Sequence, residues 1–169
     1  MPVYIALLRA VNVGGTGKLP MPELRGMCEA LGFTQVRTYI ASGNVVFESR
    51  LGEASVKKKL EQILEAYAGK PVGVVVRTAV ELASVLQGNP FPAAAPDRTV
   101  AIFLDTPPPA DAFDNVSGQA AEEFRLGTRE IYVFYKDGIG RSKLKIAAAK
   151  AGTARNMNTV AKLLEMAQA

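Results

Sequence analysis

Histidine is absent from this chain of 169 residues. The side chain that most often acts as general base near neutral pH is therefore missing, and so is the commonest metal ligand. Serine or cysteine nucleophile chemistry of the familiar kinds and histidine-bound metal centres drop out of the expectations, and no metal site is expected. Cysteine occurs once, at Cys28, so no internal disulfide can form and nothing points to an oxidising compartment. The expected setting is a reducing cytoplasm. Long apolar runs are missing as well. The opening MPVYIALLRAVNVGG has an apolar run of only six residues with no basic stretch before it, too short for a signal-peptide core or a membrane span. The expectation is a protein neither secreted nor membrane-anchored by that route.

Acidic residues are missing from one region in particular: none lies between Asp137 and Glu165. Residues 1–137 hold 14 basic and 15 acidic residues, whereas residues 138–169 hold six basic residues (Arg141, Lys143, Lys145, Lys150, Arg155, Lys162) against one acid, so the net charge of +4 belongs to the C-terminal segment. Such asymmetry can steer an anionic partner; the plain alternative is a solvated surface that maintains solubility. With 49% hydrophobic residues the chain can bury a core without staples, and its length suits one domain or two small halves.

Periodicity gives the order of elements. Val3 to Arg9 is apolar on both alternating faces, as in a central strand. A helix follows with Pro22 in its first turn, Leu24, Met27, Cys28 and Leu31 on one stripe, and Gly32 as its stop; Cys28 on that stripe reads as a small buried hydrophobe. Val36 to Ala41 and Val45 to Glu48 read as a hairpin around Ser42, Gly43 and Asn44. Residues 53–68 make a second helix with Val56, Leu60, Ile63, Leu64 and Tyr67 on one face. Lys57, Lys58 and Lys59 point about 100° apart in it and read as a solvated face. Val72 to Arg77 closes a βαββαβ unit of the split ferredoxin-like kind. A helix near residues 80–86 leads into a stretch with Pro90, Pro92 and Pro96, where regular structure must stop. The order then resumes: a strand at Thr99 to Leu104, a short helix near residues 110–115, a hairpin of Glu122 to Leu126 and Ile131 to Lys136, a long helix from Ser142 to Ala151 stopped by Gly152, and a final helix from Thr159. The expected fold class is α+β, duplicated βαββα(β) units with mixed or antiparallel sheets and a C-terminal helix. The expected subdomains are 1–88 and 97–169.

Three polar loops carry the candidate chemistry. Asn12 to Lys18, with Gly14 and Gly15, lies between the first strand and first helix, where backbone N–H groups can form an anion-binding nest. It is not a phosphate-binding P-loop, which would need Gly where Asn12 stands and Ser or Thr where Leu19 stands. Gly138 to Lys143 precedes an expected helix that Ser142 would cap, so that Gly140, Arg141 and Lys143 face the same anion; a dinucleotide fingerprint would want a third Gly at Lys143. Thr153 to Thr159 is densely polar. Asn158 is an acceptable N-cap there, and Arg155 with Asn156 would suit a carboxylate or phosphate.

Asn12 to Gly15, Gly138 to Gly140 with Ser142 to Leu144, and Arg155-Asn156, together with Tyr4 to Arg9, Pro20-Met21, Thr38 to Ile40, Ser42 to Phe47 and Asn158 to Val160, make the chain similar to a family of uncharacterised, mainly bacterial proteins, domain of unknown function 1697. The resemblance spans nearly the whole chain. It implies a duplicated α+β fold and no established activity. Met157 departs from the family pattern, which has Trp there in many relatives, so aromatic stacking at that point is not carried over.

The functional expectation is binding of a phosphate- or carboxylate-bearing ligand through Arg9, Asn12, Gly14, Gly15, Lys18, Gly140, Arg141, Ser142, Lys143, Arg155, Asn156 and Asn158, with a nucleotide or nucleic acid as the larger version of that ligand. An RNA-binding sheet face is disfavoured because Gly43 to Glu48 lacks repeated aromatics, leaving Phe47 and Tyr4. Two alternatives stand beside it. One is a histidine-independent enzyme using Lys18, Lys143 or Asp137. The other is a structural or partner-binding protein whose loops are ordinary turns, which an exposed apolar patch would favour.

Overall fold

A computed structural model describes residues 1–12 and 18–169. The chain divides into two compact units, residues 1–82 with 163–169, and residues 83–162. Each contains a four-stranded antiparallel sheet, with helices interleaved along the chain.

In the first unit the elements run β1 (Val3–Leu8), α1 (Met21–Ala30), β2 (Thr34–Thr38), β3 (Asn44–Glu48), α2 (Glu53–Ala68) and β4 (Val74–Thr78), followed by α3 (Ala79–Gln87). The sheet order β2-β3-β1-β4 is that of a ferredoxin-like split unit. Side chains alternate across β1, so Tyr4, Ala6 and Leu8 face one way. They share a core with Val45, Phe47, Val74 and Val76 of the neighbouring strands and with Leu24, Met27, Cys28, Val56, Leu60 and Leu64 of α1 and α2. Phe33 stacks on Phe47 in that core at 4.4 Å between ring centres. Lys57 is held by Glu61 and the Val74 carbonyl rather than standing free on a solvated face. Gly43 sits at φ 90, and a Cβ there would lie 2.6 Å from Val11 Cγ2 and 2.8 Å from Leu8 Cβ, so only glycine lets this turn close over the end of β1.

The second unit runs β5 (Thr99–Phe103), β6 (Glu123–Leu126), β7 (Glu130–Phe134) and β8 (Thr153–Asn156), followed by α4 (Met157–Gln168), in the sheet order β6-β7-β5-β8. This is the order of the first sheet repeated, and the pairing registers repeat with it. Ile5 opposite Val46 and Arg77 in the first sheet corresponds to Ala101 opposite Tyr132 and Arg155 in the second. Each fourth strand also ends in a helix cap. Thr78 and Glu81 form a reciprocal capping box at α3, and Asn156 Oδ1 accepts from the Thr159 N–H at α4, each satisfying amides that a helix start leaves unpaired. The duplication expected from element order is thus present at the level of strand register.

The connections of the second unit differ from expectation. Residues 110–115 form turns, not a helix, and the helix expected over 142–151 is replaced by two short 3-10 turns, Ile139–Arg141 and Ala147–Ala149. Helix propensity there is overridden by tertiary pairing. Lys145 exchanges two backbone hydrogen bonds with Ser117, and Ser142, which is extended at ψ 136, donates its hydroxyl to Glu122 Oε2 at 2.7 Å. β8 lies in the stretch from Thr153 to Thr159 that reads from the sequence as a polar loop. It pairs with β5 instead, burying Thr153 and Arg155 on alternate positions.

Candidate functional site

In the first unit the end of β1, the segment after the undescribed residues 13–17 and the connection from α2 to β4 line one cleft of about 580 Å³. Its cations are Arg9, Lys18 and Lys70, with Tyr67, Val11, Leu19 and Val72 among the other lining residues and no carboxylate among those described. Arg9 and Lys70 are placed by backbone. The Arg9 N–H donates to the Gly73 carbonyl at 2.9 Å, which ties the strand end to the connection carrying Lys70. Gly69 ends α2 in a left-handed conformation, φ 73, its N–H closing on the Glu65 carbonyl, so Lys70 leaves the helix directly into the cleft wall.

Lys18 is positioned by Asn12. The Asn12 amide donates to the carbonyls of Leu19 and Ala41, each at 2.8 Å, while its oxygen accepts from the Leu19 N–H at 2.8 Å. One amide hydrogen therefore clasps the two ends of the loop together, beside Lys18, and the other ties that end to the β2–β3 turn at Ala41. Asn12 also adopts φ 54 and the nearby Ala10 φ 57, left-handed values that cost a non-glycine residue about 1 kcal/mol, less for Asn. Such strain collects where surrounding structure holds a functional geometry. Gly14 and Gly15 lie outside the described residues.

The remaining predicted residues belong to the second unit. Arg141 ends a 3-10 turn and is exposed with Gly140 and Lys143. Ser142 is bound to Glu122, whose carboxyl is held below the usual carboxylate range by the Ala120 N–H and the Ser142 hydroxyl. Arg155 is buried and donates to Thr153 Oγ1 at 2.7 Å and the Ala154 carbonyl at 2.9 Å. Burial lowers its pKa to about 10, which leaves it charged at neutral pH. Asn156, not Asn158, caps α4, because the helix begins two residues earlier than its apolar stripe. Met157, at that start, is buried. The sequence reading missed Lys70, which lies in no motif and is marked only by following a glycine helix stop.

Cys28 is fully buried and its thiol is pushed up to about 12 by desolvation and by Glu29, as expected of a core residue. Among the described residues no helix is long and apolar enough to cross a membrane. Large exposed apolar side chains such as Ile40, Val80, Leu126 and Ile139 are far apart in sequence.

Comparison with known proteins agrees with this fold. No curated protein matches the chain. A solved structure of a conserved bacterial protein from Streptococcus pneumoniae superposes with a TM-score of 0.81 at 24% identity, covering 98% of both chains; at that identity the likeness is one of fold. The family model described as protein of unknown function, DUF1697, matches residues 1–132, and this chain belongs to that family.

Proposed function

We propose that the protein binds a small phosphate- or carboxylate-bearing molecule in the first-unit cleft, with Arg9, Lys18 and Lys70 as the anion-recognising side chains. The observation that carries this reading is that three cations from three separate chain segments line one concavity whose described lining holds no acid. A concave wall of one charge sign focuses the potential and concentrates counter-ions. Its volume lies within the range of about 300–1,000 Å³ usual for small-molecule sites. The apolar lining of Val11, Leu19 and Val72 beside Tyr67 gives room for a non-polar portion of the ligand. Arg141 and Lys143, exposed at their turn, are the second-unit residues proposed to attract anions; Ser142, Arg155 and Asn156 act mainly in holding the fold around them.

Calorimetric titration with pyrophosphate at low ionic strength tests the reading. The parent protein is expected to bind, R9A/K18A/K70A to bind at least about tenfold more weakly at charge-assisted contacts, and R141A/K143A to lose much less. Affinity should fall as salt rises. An unaltered affinity in the first variant would refute the assignment.

A further inference from the structure

The two sheets repeat in order and register, but their coverings do not. In the first unit the face carrying Tyr4, Ala6, Leu8, Val45 and Phe47 is packed by α1 and α2. The corresponding face of the second unit carries Val100, Ile102, Leu104, Ile131 and Val133. There the two connections that occupy the positions of those helices are turns and 3-10 turns, which cannot bury a full apolar stripe. Phe113, Val116, Tyr135, Leu144, Ala148 and Ala149 consequently remain only partly buried against that core.

The space left where a helix would lie is a cleft of about 560 Å³. Ile102 of β5, Leu144, Ile146, Ala147 and Ala149 give it an apolar wall, while Lys145 and Lys150 supply positive charge, Tyr135 and Ser117 hydroxyls and Asn115 an amide, with no carboxylate among the described lining residues. Both sides are fixed by backbone. The reciprocal hydrogen bonds between Ser117 and Lys145, 3.1 and 2.8 Å, fasten the connection after β5 to the one after β7, and Gly118 permits their close approach. The Tyr135 hydroxyl is desolvated and stays protonated, so it is a donor.

We propose that this cleft binds a small amphipathic carboxylate, its hydrocarbon body lying over Ile102, Leu144 and Ile146 and its head group accepting from Lys145, Lys150 or Tyr135. Apolar wall and cationic residues in one concavity match a ligand with an apolar body and one anionic end, which neither a bare phosphate nor a neutral hydrocarbon satisfies in full. The site lies wholly within the second unit and does not depend on the first-unit cleft.

The test is titration of the whole protein with octanoate, decanoate, decanol and inorganic phosphate, read by calorimetry and by amide chemical shifts. Decanoate is expected to bind in this cleft about fifteenfold more tightly than octanoate, since each of its two additional buried methylenes contributes about fourfold. It should move the amides of Ser117, Leu144 and Ile146. Decanol should bind this cleft more weakly than decanoate, K145Q/K150Q should erase that difference, and the decanoate shifts of Ser117, Leu144 and Ile146 should persist when the first-unit cleft is saturated with pyrophosphate. Ala147→Trp, which fills an exposed position of the cleft, should block decanoate with an unaltered melting curve; if it does not fold, the amide shifts of the parent decide. Absence of decanoate binding, equal affinity of this cleft for decanoate and decanol, phosphate moving the Ser117, Leu144 and Ile146 amides at lower concentration than decanoate, or decanoate shifts confined to other residues would overturn the proposal.

Discussion

Replacing Asn12 by Ala removes three hydrogen bonds and one conformational preference at a single exposed position. The bonds, to Leu19 N and to the Leu19 and Ala41 carbonyls, are all 2.8 Å long, and a typical intramolecular bond contributes about 1 kcal/mol net. The bond to Ala41 is solvent-exposed and counts for less. The φ of 54 adds somewhat under about 1 kcal/mol, because Asn tolerates the left-handed region better than Ala. The expected loss is about 2–3 kcal/mol, a fall in melting temperature of roughly 5–10 °C for a chain of this size. Two further variants separate the contributions. Asn12→Gly keeps the backbone freedom and loses the bonds; Asn12→Asp keeps the acceptor and loses both donors, so each should fall between parent and Ala. Urea unfolding followed by far-ultraviolet circular dichroism and by tyrosine fluorescence measures the series. An Ala variant within about 0.5 kcal/mol of the parent, the usual range for a featureless surface position, would refute the clasp. If the clasp is real, pyrophosphate affinity also falls in Asn12→Ala below its melting temperature, because Lys18 loses its anchor.

Gly118→Ala should be severely destabilising, since its φ is 70 and a Cβ would lie 1.9 Å from the Lys143 carbonyl oxygen; a variant melting within a degree or two of the parent would contradict the close approach. Cys28 should react with a disulfide reagent at pH 8 on the order of a thousandfold more slowly in the native protein than in urea, because the thiolate is scarce at a pKa near 12 and the site must open first. Comparable rates in the two conditions would contradict burial. Glu122 has a folded pKa below its ordinary value, so the unfolded chain binds more protons, and its stabilisation is complete above the ordinary carboxylate pKa and lost as pH falls through the folded value. Parent and Glu122→Gln should therefore differ in stability at pH 6 and converge in strong acid, which paired urea titrations will show; a constant difference across that range would rule out the linkage.

The apolar strands are legible because burial on both faces writes itself into β1, β3, β4, β5 and β7 as continuous runs rich in Val, Ile, Leu and Phe. β8 is not, since its buried positions are Thr153 and Arg155. Hydropathy cannot distinguish a strand that buries polar groups from a polar loop. The segment Ser142 to Ala151 reads as a helix from composition, and only the pairing of Lys145 with Ser117, 28 positions earlier, explains why it is broken into an extended stretch and a 3-10 turn. Of the candidate site, Arg9 and Lys18 were visible as cations flanking a glycine-rich loop. Asn12 reads from the sequence as part of an anion-binding loop of backbone N–H groups, whereas its side-chain amide is occupied in closing that loop. Lys70 joins the cleft through the fold of the α2–β4 connection, a three-dimensional fact without a local pattern.

The central claim is that an anion is recognised by the first-unit cleft, and mapping pyrophosphate onto the backbone amides of the intact protein tests it most directly. The amides of Ala10, Val11, Lys18, Leu19, Lys70 and Val72 should shift along one saturable curve, and R9A/K18A/K70A should abolish those shifts while its remaining spectrum stays that of the folded parent. Saturable shifts confined to residues 140–143 and 153–158, or no saturable shifts anywhere, would contradict the account.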